Sequence, residues 1–180
     1  HPAAWMAGLG LEGGGALGAA AAAAPDVLRL ARADLPVLRD LTLCGFPWTP
    51  ADVAALSLAE WVPQLTALQI SSDGPCLGDA AAARLSALPF RDLRGLEIRG
   101  ARFGRQGLAT LAAAPWMEGL RALNVRVEFG SVWERDACAA VVAGAPALSR
   151  AAAGGRVLLY CRHPCVAGAA ATGVAWANAY

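Results

Sequence analysis

A chain of 180 residues and 18.4 kDa can bury one substantial core but is short for two independent domains. Alanine supplies 44 residues and glycine 20, and all 15 basic residues are arginine; with alanine set aside, the apolar share falls to about a third, ordinary for a soluble domain. A formal charge of +1 gives no strong footprint for nucleic acid, and no apolar run approaches the ~20 residues that a membrane span needs.

Residues 1–25 are dominated by Ala and Gly, with six alanines in succession from Ala19 to Ala24. Alanine favours helix, but such a stretch has little to bury, so 1–25 reads as a low-complexity lead-in. It contains Gly8-Leu9-Gly10-Leu11-Glu12-Gly13, a match to GxGxxG. A dinucleotide site needs that run between a strand and a helix. Residues 1–7 carry no strand signal, so the run reads as a flexible lead-in, with a nucleotide-binding enzyme as the weaker alternative. No basic stretch leads into a leucine-rich one, so no signal peptide is expected. That points to the cytoplasm and to reduced thiols at Cys44, Cys76, Cys138, Cys161 and Cys165.

From Val27 to Ala33 a short helix is expected, leading into the first of four hexapeptides of pattern L-x-x-L-x-[L/I/V]. These are Leu38–Leu43, Leu65–Ile70, Leu93–Ile98 and Leu120–Val125, and their first leucines lie 27, 28 and 27 residues apart. Near-constant spacing of four matches marks a true repeat. Each hexapeptide predicts a short strand, with Leu41/Leu43 and their equivalents on one side. Behind it come aligned apolar positions at Trp48, Leu77 and Phe103, then a helix ending in Leu56, Leu85 or Leu111. Five residues further stand Trp61, Phe90 and Trp116, with Pro63, Pro89 and Pro115 close by. The prolines mark helix ends, and the aromatics fill the turn back to the next strand. Thr49-Pro50-Ala51-Asp52 predicts an N-cap, a Pro at the first helical position and an acid in the first turn. Val132 to Ala147 is expected to be helical without the aligned Leu and aromatic.

No such unit can bury its leucine face alone, so stacking into a parallel sheet is required. The pattern resembles the leucine-rich repeat family, in its ribonuclease-inhibitor-like subclass, over about residues 35–146. The resemblance implies an α/β solenoid of about four repeats of 27–28 residues, with a curved parallel sheet on the concave side and helices on the convex side. The expected organisation is lead-in 1–25, repeats 26–147, and a degenerate segment 148–180 that caps or continues the stack. The family places Asn or Cys at the ninth position, where this chain has Phe46, Asp73, Ala101 and Glu128; this implies an irregular turn after the strands.

In the last segment, Cys161-Arg162-His163-Pro164-Cys165 offers three metal-ligand types in five residues. Zinc wants four ligands, usually as two separated pairs, and the next candidate, Cys138, is remote. Small thiols are the simpler reading, with a zinc enzyme as a weaker alternative. The histidines are His1 and His163, so a Ser-His or Cys-His relay lacks a base. Neither catalysis, nor a cofactor, nor a bound metal is expected.

The remaining candidate is the open strand face. Positions between buried leucines read Thr42, Gln69, Glu97, Asn124; those after them read Cys44, Ser71, Arg99, Arg126. The positions after the first Leu read Arg39, Thr66, Arg94, Arg121. A solvent-facing sheet must be polar in any case, but extended concave faces are also where repeat proteins bind. The expectation is a protein–protein interaction module with its binding residues among Thr42, Gln69, Ser71, Arg94, Glu97, Arg99, Arg121, Asn124 and Arg126. The resemblance adds two alternatives, the substrate-receptor part of a ubiquitin ligase and a small-GTPase regulator. The expected partner is a protein, not nucleic acid or membrane. Because alanine-rich ends cap a stack poorly, neighbouring repeats or domains in a longer chain, or self-association, are expected too.

Overall fold

Leucines at period two make strands with one greasy side, and in the computed structural model those strands pair in the order in which the chain makes them. The structure describes residues 9–12, 27–72, 77–101, 103–126, 132–146, 149, 157–161 and 175–178. The elements run β1 (Leu9–Glu12), α1 (Val27–Ala31), β2 (Asp40–Phe46), α2 (Pro50–Leu56), β3 (Ala67–Ser72), α3 (Asp79–Ser86), β4 (Gly95–Arg99), α4 (Arg105–Ala112), β5 (Ala122–Arg126), α5 (Val132–Gly144), β6 (Val157–Cys161) and β7 (Ala175–Asn178). All neighbouring strands are parallel, and the sheet order is β1-β2-β3-β4-β5-β6-β7. The fold is α/β with an open sheet.

Successive helices pack against one another in chain order, α1 on α2, α2 on α3, α3 on α4 and α4 on α5, and strand and helix residues share one core. Leu41, Leu43, Leu68, Ile70, Leu96, Ile98, Leu123 and Val125 join Val53, Leu56, Leu85, Leu108 and Leu111 in one buried cluster. Register aligns the strand residues in rows: Leu41 faces Leu68, then Leu96, then Leu123. Each such leucine contributes roughly 1.5–3 kcal/mol before conformational entropy is set against it. The aligned Trp48, Leu77 and Phe103 are fully buried behind the strands.

Helix boundaries follow local chemistry. Thr49 caps α2 by accepting from Asp52 N–H, while Asp52 accepts from Thr49 N–H at 2.8 Å, a complete capping box with Pro50 in the first turn. No side chain of its own caps α4. The Asp79 carboxylate, in the first turn of α3, instead accepts the Gly104 N–H at 2.8 Å. Gly107 leaves room for this, since a Cβ there would stand 2.3 Å from Asp79 Oδ1. The return to the next strand is made by 3-10 turns at Val62–Gln64 and Pro115–Gly119. Trp61 and Trp116 are buried at these two turns and Phe90 at the irregular return from α3 to β4, where it meets Trp116 edge to face at 5.5 Å.

An irregular turn was expected after the strands; the irregularity at Phe46 lies inside the end of β2, where the register shifts between Cys44 and Phe46 around Gly45 at φ 78°. Ala101 is buried and forms an isolated parallel bridge with Leu77. Asp73 and Glu128 lie outside the described residues. Helices α1 and α5 fall within the two stretches expected to be helical. The sheet also extends beyond the repeat pattern. Strand β1 forms within the lead-in, and β6 and β7 within the last segment. Among the described residues, no helix is long and apolar enough to cross a membrane.

Candidate functional site

Alternation that turns Leu41 and Leu43 into the core turns Thr42 and Cys44 to the opposite face. Register then lines up Thr42, Gln69, Glu97 and Asn124 as one row, and Cys44, Ser71 and Arg99 as the next. Neighbouring positions in a row are about 4.8 Å apart, the strand spacing. The structure therefore brings Thr42, Gln69, Ser71, Glu97, Arg99 and Asn124 together. Arg126 continues the second row by its backbone position in β5, and its side chain lies outside the described residues.

The first row is more deeply sunk than a solvated face requires. Gln69 is 6% exposed and Glu97 5%, whereas Thr42 and Asn124 are half-buried. Long side chains set at strand spacing shield one another, and Glu97 is further tied down by its neighbours. Glu97 Oε1 accepts from Arg99 Nε within β4 and from Asn124 Nδ2 across to β5 at 3.2 Å. A buried carboxylate needs such partners. Arg99 keeps its head outward, its side chain 56% exposed against 7% for Glu97. The Asn124 amide is fixed by the same contact: turned over, its oxygen would meet the carboxylate. Its Oδ1 is buried and has no hydrogen-bond partner among the described residues.

The third row corrects the sequence reading. Arg39, Thr66, Arg94 and Arg121 were expected on this face, but each stands one residue ahead of its strand. Their backbones form the seam at which chains enter the sheet. The Arg39 carbonyl accepts from Thr66 N–H at 2.7 Å and Ala67 N–H at 3.2 Å. The Thr66 and Arg94 carbonyls accept in the same way from the next unit. Arg94 and Arg121 are exposed at this lip, outside the alternation. Counting back by two from Thr42 leads to Asp40, so the true third row is Asp40, Ala67, Gly95 and Ala122. Asp40 Oδ1 accepts from Thr66 Oγ1 at 2.7 Å. The other members are small and leave the entry side of the face shallow. The period-two count alone carried this signal.

Elsewhere, a groove of about 550 Å³ opens between Ala31–Pro36 and Leu58, Glu60, Trp61 and Gln64. Its buried polar groups are engaged: Trp61 Nε1 donates to the Leu30 carbonyl at 3.3 Å, and Gln64 Nε2 to that of Leu35 at 2.8 Å. Arg32, Asp34 and Glu60 are the ionisable side chains on its lining. Of the Gly8–Gly13 run, Leu9–Glu12 is itself strand β1, whereas a nucleotide-binding turn follows its strand. Cys161 ends β6, while Arg162–Cys165 and both histidines lie outside the described residues. Among the described residues no three His, Cys, Asp or Glu side chains are grouped to hold a metal. The chemistry of the face is hydrogen bonding and charge pairing. Compared with known proteins, the chain matches no family model and no curated sequence.

Proposed function

We propose that the chain is a leucine-rich-repeat solenoid of the ribonuclease-inhibitor-like subclass and serves as a non-catalytic protein-binding module. Parallel strands that follow one another in chain order, three steps of 27 or 28 residues between equivalent leucines, and a helix after each support the architecture. One observation carries the function: two adjoining rows of polar side chains, Thr42-Gln69-Glu97-Asn124 and Cys44-Ser71-Arg99, stand in register on the sheet face turned from the core. Rigid strands hold those groups at fixed spacing, so a partner binds without the face having to order itself first. Arg94, Arg99 and Arg121 are all exposed; they give the face and its lip a positive rim that complements an acidic partner.

The test uses a protein that co-purifies with the tagged chain. Replacing Arg94, Arg99 and Arg121 together by Ala is expected to slow its association about tenfold at low salt, with a smaller effect at high salt. An unchanged association rate in the triple variant would remove the face from the interface.

A further inference from the structure

We infer that Arg99 is a preset anchor for a carboxylate on an acidic peptide segment, with Glu97 and Asn124 as its positioning residues; this deepens the proposed recognition face and rests on it. A guanidinium carries five N–H donors in a rigid fork. Arg99 uses Nε on Glu97 Oε1, and its terminal nitrogens make no hydrogen bond within the described residues. That free edge is the one that meets a carboxylate with two parallel bonds.

Glu97 is a fixed post for this arrangement. Its side chain is 7% exposed, and Asn124 Nδ2 holds the same oxygen from the neighbouring strand at 3.2 Å. The pair is formally neutral, but the carboxylate is sunk and the guanidinium outermost, so an approaching group meets the positive end first. Donors stand beside it. Ser71 is directly opposite Arg99 in register and Gln69 opposite Glu97. Neither side chain makes a hydrogen bond within the described residues, although Gln69 is only 6% exposed. A hydroxyl, an amide and a guanidinium edge on adjacent strands suit an anionic acceptor. A cationic group would instead have to displace Arg99 from Glu97. Because the arginine is already held, part of the ordering cost of binding is met in the free protein.

The experiment titrates the ¹⁵N-labelled chain with a short glutamate-rich peptide and with its glutamine counterpart. The Arg99 Nε–Hε resonance is followed, identified by its loss in Arg99→Lys. In the free wild type this proton is expected to be protected from exchange, and the protection to be lost in Glu97→Gln. The glutamate peptide is expected to bind and the glutamine peptide not. Arg99→Lys, which lacks the fork, is expected to bind about tenfold more weakly. Glu97→Gln discriminates most sharply. It removes a negative charge from the face, so charge alone dictates tighter binding of an acidic peptide, whereas loss of the post dictates binding about fivefold weaker. Equal or tighter binding by Glu97→Gln overturns the inference. Should that variant unfold, Asn124→Ala takes its place and is expected to weaken both Hε protection and affinity; if neither moves, the inference fails. A wild type indifferent to the glutamate peptide overturns the carboxylate assignment, while the recognition face itself stands or falls separately on the arginine-triple association rate.

Discussion

Gly100 follows β4 with φ at +77°, and a Cβ there would stand 2.2 Å from the Ser72 carbonyl oxygen. Left-handed backbone and a rigid collision act together, so Gly100→Ala is expected to destabilise by about 2–4 kcal/mol in urea unfolding. Gly45 holds the same place in the first unit with φ 78°. The two are aligned in the sequence, each two residues after the last residue of its hexapeptide, Leu43 or Ile98, yet among 20 glycines the alignment is easily passed over. The buried leucines were legible because burial requires them to repeat. The deep setting of Gln69 and Glu97 was not, since it arises from neighbours on other strands. Nor was the Glu97–Asn124 bond, which joins residues 27 apart in the chain. Removing Arg99's charge exposes that arrangement to a stability test as well. Arg99→Ala is expected to cost about 1–2 kcal/mol, less than a fully buried pair because the arginine is half in water.

At the scale of single elements, capping explains where the helices begin. Thr49→Ala removes one half of the capping box on α2 and is expected to cost about 1 kcal/mol. That cap was readable, because Thr49, Pro50 and Asp52 sit within four residues. The link from α3 to α4 was not, because Asp79 serves Gly104 at a separation of 25 residues. A double-mutant cycle checks it. Gly107→Ala forces the Asp79 carboxylate aside and is expected to destabilise by about 1–2 kcal/mol. With Asp79 already changed to Ala, the same substitution is expected to be close to neutral. There the better helix propensity of Ala offsets the remaining tightness against the Asp79 backbone. Additive effects in the cycle would contradict the contact.

Across the described residues, the strands form one parallel sheet and bury their leucines against neighbouring strands and the helices together. The steps between equivalent strand residues explain which strands were legible. Leu41 to Leu68, Leu96 and Leu123 advances by 27, 28 and 27, whereas Leu9 to Leu41 is 32 and Leu123 to Val157 is 34. A search by period finds the first set and passes over β1, which has the paired Leu9 and Leu11 in register with Leu41 and Leu43 but at the wrong step, and β6 and β7, which lack the leucine pair as well. Because the rows are continuous, Leu96→Ala in the middle of the stack is expected to cost about 2–5 kcal/mol. It should lower amide-exchange protection in β3 and β5 as well as in β4. Loss confined to β4 would mean that the units do not support one another. The claim that the polar sheet face is the recognition surface is tested most directly by placing a photo-crosslinking amino acid either at Ser71, on that face, or at Ala83, exposed on α3. The co-purifying partner is expected to be captured from Ser71 and not from Ala83, and capture is expected to fall when Arg99 is replaced. Capture from Ala83 with none from Ser71 would contradict the claim.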